Sequence, residues 1–161
     1  IKLIISWDLN AQIILHGVSM GAATVLMASG EELPENVKAI IADCGYTSEW
    51  DEFKCEANAL HIPWFPVLNA ASVMSKLRDG YDFKQASALE KVKQSRIPTL
   101  FIHGSDDELV PYSMLDKLYS AAACEKECLT VNGAGHALSS SVEPELYWNT
   151  VENFIEKYLE K

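Results

Sequence analysis

Short apolar runs alternate along this chain with longer segments whose apolar residues recur at helical spacing. Apolar runs typical of buried strands occupy residues 13–16, 37–42, 99–103 and 129–131. Helical spacing or capping residues predict helices over residues 20–29, 48–60, 66–79, 87–94, 111–123 and 144–159, and the last turns of another helix over residues 1–10. Because strands alternate with helices, we predict an α/β fold, a three-layer sandwich with a parallel sheet and helices on both faces.

The segment between the second and third apolar runs has a different character. Residues 43–96 contain two prolines and several aromatic residues, and they show no strand pattern. We therefore predict a single domain over residues 1–161, with a helical cap inserted at residues 47–95. The cap aromatics Trp50, Phe53, Trp64 and Phe65 are candidates to line an apolar acyl pocket, although aromatic residues at such spacing also serve as core.

The first apolar run leads into the pentapeptide Gly-Val-Ser-Met-Gly, residues 17–21, which is followed by a helical segment. A serine at a tight strand-to-helix turn, with a positive φ, presents its hydroxyl clear of the sheet. Gly17 and Gly21 lack Cβ atoms and allow strand and helix to approach closely. Ser19 is therefore the candidate nucleophile, and the N–H of Met20 is the candidate donor to a substrate oxyanion.

Two later strand ends also carry candidate chemistry. Asp107 follows the third apolar run and His136 follows the fourth. Because ligands of parallel sheets bind beyond the carboxyl ends of the strands, we expect both side chains to approach Ser19. Asp106 is the alternative acid if the loop is registered one residue differently. We interpret His16 and His103 as packing and hydrogen-bonding residues of the sheet.

Composition limits the other functions. The chain of 161 residues is 48% hydrophobic and carries a formal charge of −10, which disfavours nucleic acid and anionic membrane surfaces as partners. The four cysteines match no usual zinc spacing and are expected to be free thiols. We expect no metal and no cofactor. The cytoplasm is the default location, although the sequence begins at Ile1 and a targeting or anchor segment removed before it would leave no trace.

The serine, aspartate and histidine occur in the chain order of the serine α/β-hydrolases, and the surrounding motifs are similar to theirs. Residues 103–111, His-Gly-Ser-Asp-Asp-Glu-Leu-Val-Pro, resemble the family's His-Gly-x-x-Asp-x-x-Val-Pro motif, which assigns the triad acid to Asp107. Residues 133–136, Gly-Ala-Gly-His, resemble its Gly-x-Gly-His loop. The likeness is closest to small bacterial esterase-like and serine-peptidase-like members with a short helical cap.

The resemblance covers only the C-terminal half of that fold. The strands that normally precede the nucleophile strand, and the loop that gives the second oxyanion donor, have no counterpart here. We therefore expect a fragment of a longer hydrolase, or a chain whose exposed strand edge at residues 13–16 is covered by a second copy in a homodimer.

The resemblance implies a serine hydrolase that cleaves a small-molecule ester, thioester or small amide through an acyl-enzyme, most probably a carboxylesterase. The alternatives are a serine peptidase acting on short peptides and a catalytically inert binding module on the same fold.

Overall fold

A parallel β-sheet of four strands forms the centre of the molecule. The computed structural model describes residues 1–159. The strands are β1 (Ile13–Val18), β2 (Val37–Asp43), β3 (Thr99–Gly104) and β4 (Lys126–Val131), in the spatial order β1-β2-β3-β4, and every neighbouring pair is parallel. The predicted α/β class and parallel sheet are confirmed.

Eight helices are described over residues 1–159, and their bounds follow the chain. They are α1 (Lys2–Trp7), α2 (Met20–Ala28), α3 (Glu49–Ala59), α4 (Trp64–Asp79), α5 (Ala88–Val92), α6 (Ser113–Ala121), α7 (Ser139–Val142) and α8 (Pro144–Glu156).

The helices cover both faces of the sheet. Side chains of α2, α5 and α6 pack on the face that carries Ile40, Ala42 and Phe101. Side chains of α8 pack on the opposite face, against Ile41 and Ile102. Because the strands follow one another in spatial order, right-handed crossovers place the connecting helices on one face and leave the other face to the C-terminal helix. The three-layer arrangement is confirmed, with α8 as the main helix of its layer.

Several boundaries differ from the sequence-based prediction. β4 begins at Lys126 rather than at residue 129, because it is an edge strand whose first residues are polar and only partly buried. The Lys126 ammonium group donates to the carbonyls of Tyr119 and Ala122 at the end of α6, 2.7 Å in each case. The four-residue helix α7 was not predicted, and α8 ends at Glu156, three residues before the predicted end.

The faces of two helices also depart from expectation. Trp148 belongs to the predicted apolar stripe of α8 but is 48% exposed, and its ring lies edge-on to that of His16. The first helix is limited to six residues and buries none of them.

The segment of residues 47–95 contains α3, α4 and α5. The Ser48 hydroxyl accepts a hydrogen bond from the N–H of Asp51 and caps α3, as predicted. Phe65 has a non-helical backbone within α4, so regular helix begins at Pro66, and Gly80 in the left-handed conformation ends it. Both positions agree with the sequence analysis, whereas the capping function of the segment stays a prediction. No helix among residues 1–159 combines the length and apolar character needed to cross a membrane.

We expect two copies of the chain to associate through β1, which lies at an edge of the sheet and exposes 42% of Val18. A charge on an edge strand opposes such pairing. Val18→Lys should therefore shift the sedimentation velocity from a dimer to a monomer. Val142→Lys in α7, where the valine is 43% exposed, is the matched control and should leave the dimer intact. A wild-type chain that sediments as a monomer at all concentrations contradicts this prediction.

Candidate active site

Ser19 occupies a strained turn between β1 and α2. Its backbone angles are φ 54° and ψ −116°, a conformation that L residues rarely adopt. The N–H of Ser19 donates to the carbonyl of Asp43 at 2.8 Å, which ties the turn to the end of β2. Met20 is the first residue of α2, so its N–H has no acceptor within the helix and lies at the positive end of the helix dipole.

The two glycines that flank the turn have different roles. A Cβ atom on Gly17 would lie 2.2 Å from the carbonyl oxygen of Gly21, so only glycine fits where strand and helix cross. A Cβ atom on Gly21 would meet nothing within 4 Å. The close approach expected from the sequence therefore depends on the missing side chain of Gly17 alone.

Ser19, His136 and Asp107 form one hydrogen-bonded chain. The Nε2 atom of His136 lies 2.8 Å from the Ser19 Oγ atom, and its Nδ1 atom lies 2.9 Å from Asp107 Oδ2. The three residues come from loops that follow β1, β3 and β4, so the carboxyl ends of parallel strands bring them together. Since the Asp107 carboxylate accepts, Nδ1 carries a hydrogen, and Nε2 of the neutral ring is free to accept from the serine hydroxyl.

Asp107 is held in a fixed orientation and kept ionised. Its other carboxylate oxygen, Oδ1, accepts from the N–H groups of Leu109 and Val110 at 3.0 and 2.9 Å. Burial alone would raise the pKa of Asp107, but hydrogen bonds from His103, His136 and Val110 outweigh burial and hold the pKa below its usual value. The carboxylate is therefore charged throughout the neutral range.

The alternative acid and the two other histidines occupy separate positions. Asp106 accepts a hydrogen bond from the neighbouring Ser105 hydroxyl at 2.6 Å, and the structure places Asp107 rather than Asp106 against His136. His103 is fully buried, with Nε2 2.9 Å from the Val110 carbonyl and 3.3 Å from Asp107 Oδ2. It therefore also supports the carboxylate of Asp107, a contact that the sequence analysis did not foresee.

Asp43, the last residue of β2, links the serine turn to the histidine loop. Its backbone carbonyl accepts from Ser19, and its carboxylate accepts from the Ser139 hydroxyl at 3.1 Å, three residues after His136. The Tyr147 hydroxyl also hydrogen-bonds this carboxylate and lies 3.0 Å from His16 Nε2. The sequence analysis missed Asp43, although a charged residue that closes an apolar strand at the ligand-binding edge was a usable signal.

Burial dominates the electrostatics of Asp43. The residue is 1% exposed, and burial raises the pKa of its carboxyl group against the opposing effect of the hydrogen bonds from Ser139 and Tyr147. Burial likewise raises the pKa of the Tyr147 hydroxyl, and Asp43 adds to that shift. Burial lowers the pKa of His16, so its ring is neutral at pH 7.

Cys44 lies beside the hydrogen-bonded chain. Cys44, Asp107 and His136 offer potential metal-ligand atoms within 4.8 Å of one another, the one such group found over residues 1–159. Both ring nitrogens of His136 already contact Ser19 and Asp107, and burial raises the pKa of the Cys44 thiol to about 12. The thiol is therefore protonated at neutral pH, and the arrangement favours proton transfer over metal binding.

A buried acid from the cap segment also lies close to the triad residues. Glu52 of α3 is 7% exposed, and its Oε2 atom has no hydrogen-bond partner within the described part of the chain. Burial raises the pKa of Glu52 to about 7, and the charges of Glu56 and Asp107 add to the shift. The sequence analysis did not single out this residue.

The four cap aromatics do not share one pocket. Phe53 and Trp64 line an apolar cavity of about 280 Å³ between α3 and α4, whereas Trp50 and Phe65 are not among its lining residues. The rings of Trp50 and Phe65 each meet Trp64 edge-on, and Phe65 is 65% exposed. The structure therefore divides the set that the sequence analysis grouped together.

Comparisons with known proteins agree with this geometry. The sequence model of the Prolyl oligopeptidase family matches residues 9–161. The chain is 31% identical over 143 residues to the uncharacterized protein YqkD of Bacillus subtilis, an alignment that covers 88% of this chain and 47% of YqkD. The chain thus spans about half the length of the curated relatives it matches.

Two solved structures show the same fold. The esterase domain of a Rhodothermus marinus protein aligns with a TM-score of 0.69 at 21% identity, over 97% of this chain and 65% of that domain. The acylaminoacyl peptidase of Pyrococcus horikoshii aligns with a TM-score of 0.72 at 15% identity, over 99% of this chain and 26% of the peptidase.

The two glycines of the turn should respond differently to alanine. Gly17→Ala should lower the free energy of unfolding by about 2–3 kcal/mol, because the new methyl group meets backbone that cannot move aside. Gly21→Ala should leave stability unchanged or raise it by up to about 1 kcal/mol through helix propensity. Urea unfolding followed by circular dichroism measures both, and equal losses in the two variants would refute the assignment.

The buried Asp43 carboxyl should make stability depend on pH. Its folded-state pKa lies above the unfolded value of 3.8, so the folded state holds the proton more tightly. Relative to Asp43→Asn, the wild type should lose stability as pH rises from about that value through the folded pKa, and then level off. Urea unfolding from pH 3 to pH 8 tests this, since other titrating groups cancel in the difference. A difference that does not change with pH contradicts it.

Proposed function

We propose that this chain, which belongs to the prolyl oligopeptidase family of the α/β-hydrolase superfamily, is a serine hydrolase that cleaves an ester, thioester or small amide through an acyl-enzyme. The observation that carries the proposal is the hydrogen-bonded chain from Ser19 through His136 to Asp107. A serine hydroxyl is a poor nucleophile at neutral pH, and a histidine held at 2.8 Å is the base it requires.

In the first step, the Ser19 Oγ atom attacks the substrate carbonyl carbon while its proton passes to His136 Nε2. The tetrahedral intermediate collapses, the bond to the leaving group breaks, and the imidazolium returns the proton to that group. Asp107 stabilises the imidazolium and fixes the ring orientation without taking the proton. The lowered pKa of Asp107 supports this role, because the acid stays charged.

In the second step, water attacks the acyl-enzyme. His136 Nε2 removes a proton from the water molecule, the ester bond to Ser19 breaks, and the proton returns to the serine oxygen. The product is a carboxylic acid.

The oxyanion of each intermediate needs hydrogen-bond donors. We assign one donor to the N–H of Met20, because it has no acceptor within α2 and lies beside the nucleophile. Loss of one donor in such sites typically costs about two to three orders of magnitude in rate. Since the curated relatives are about twice as long, the activity of the whole protein is part of this proposal.

An apolar acyl group suits the cap better than a charged one. Phe53 and Trp64 supply aromatic surface beside the 280 Å³ cavity, and we assign them to acyl binding as the sequence analysis proposed. A short-peptide substrate is the second candidate. It is favoured by the family assignment, since the family is named for a peptidase.

Ser19→Ala should abolish covalent labelling of the chain by a fluorophosphonate probe, which reacts only with an activated serine. Wild type should label at Ser19, and His136→Ala should label at least about a hundredfold more slowly because the base is missing. Ser113→Ala, a serine of α6 far along the chain from Ser19, is the control and should label normally. Mass spectrometry of the labelled peptide checks the site.

A folded wild-type chain that does not label would favour the inert binding module. If labelling occurs, the rates of hydrolysis of p-nitrophenyl butyrate and of a dipeptide p-nitroanilide distinguish the esterase from the peptidase. We expect the ester to be the better substrate.

A further inference from the structure

The cap segment encloses an apolar cavity that does not belong to the hydrogen-bonded chain of Ser19. Its volume is about 280 Å³, and its lining comes from α3, α4 and the loops beside them. All of the lining residues are apolar: Phe53, Ala57, Ile62, Pro63, Trp64, Val67, Leu68, Ala71 and Phe83. Ser19, Asp107 and His136 are absent from this lining.

The cavity is open to solvent rather than closed by neighbouring side chains. Phe53, Ile62 and Val67 are 37%, 48% and 59% exposed although they line it. Apolar surface that lines a concavity and still contacts water favours binding of an apolar ligand. The volume is slightly below the range of about 300–1,000 Å³ that is common for drug-sized ligands, which favours a short flexible chain over a rigid polycyclic molecule.

A single cation lies against one wall of the cavity. The ammonium group of Lys54 is 4.8 Å from the centroid of the Trp64 ring, and Lys54 precedes the lining residue Ala57 by one turn of α3. Within residues 1–159 no carboxylate pairs with Lys54. The polar end of a ligand in this cavity therefore meets a positive charge.

We propose that the cavity binds a medium-chain carboxylic acid, with the aliphatic chain between α3 and α4 and the carboxylate paired with Lys54. An apolar wall and one cation at its edge complement the two ends of such a molecule. The acid is also the class of product that ester cleavage releases, and this link alone rests on the proposed function.

Octanoic acid and 1-octanol test the charge. Isothermal titration calorimetry should show saturable binding of both to the wild-type chain. Lys54→Ala should weaken octanoate about two- to fivefold, as expected for a partly exposed ion pair, and leave 1-octanol unchanged. Lys84→Ala is the matched control, because Lys84 stacks on Trp50, 4.4 Å from its ring centroid, and Trp50 does not line the cavity. Equal octanoate affinity in wild type and Lys54→Ala would overturn the assignment of an anionic ligand.

Two neighbouring alanines of α4 test the location. Ala71→Trp fills the cavity and should abolish binding of both ligands, whereas Ala70→Trp, at an exposed position outside the lining, should not. Hexanoate should bind about fifteenfold more weakly than octanoate to wild type, because each buried methylene contributes about fourfold. Binding that survives in Ala71→Trp, or no saturable binding to wild type, would overturn the proposal.

The same titration separates this inference from the proposed function. Octanoate contains no ester, so Ser19→Ala should bind it with wild-type affinity. A chain that binds octanoate but does not react with the fluorophosphonate probe would retain the cavity assignment and lose the hydrolase, and the opposite result would do the reverse.

Discussion

The close contact between β1 and α2 is the constraint on which the site depends. The chain reverses direction at Ser19 with a left-handed φ, and the helix then passes so near the strand that Gly17 has no space for a methyl group. Strain at this residue is stable only because the flanking strand and helix are fixed by the sheet and by the buried face of α2. Packing of the apolar core thus determines where a polar hydroxyl is presented.

The opposite edge of the same argument concerns buried charge. Asp43 and Asp107 both follow or close apolar strands, and both would be costly to bury without partners. Each is surrounded by donors from different parts of the chain: the Asp107 carboxylate by backbone N–H groups and two histidines, the Asp43 carboxylate by Ser139 and Tyr147. These contacts join the loops after β3 and β4 to the sheet, so the geometry at His136 is held from two sides.

Much of this arrangement was predictable because its signals are local. The pentapeptide around Ser19, the loop of Asp107 and the loop of His136 each have a sequence pattern, and parallel strands necessarily bring their carboxyl ends to one edge. Asp43 has no pattern of its own, since its importance comes from Ser139 and Tyr147, about a hundred residues away in the chain. The polar first half of β4 was missed because periodicity reveals buried strands better than edge strands.

The cap shows where sequence reasoning fails for a different reason. Trp50, Phe53, Trp64 and Phe65 are equivalent in composition, and only the packing of α3 against α4 separates the two that line a cavity from the two that do not. Lys54 likewise has no distinction among the lysines until its position over Trp64 is known.

The separation of 117 residues between Ser19 and His136 has a consequence for the newly synthesised chain. The serine emerges from the ribosome long before the histidine, and a strand, the cap and a further strand must be made in between. Until the last quarter of the chain has folded, Ser19 has no base beside it and is as unreactive as any other serine. A nascent or unfolded chain of this kind cannot attack the esters around it, and chemical reactivity at Ser19 reports that folding is complete.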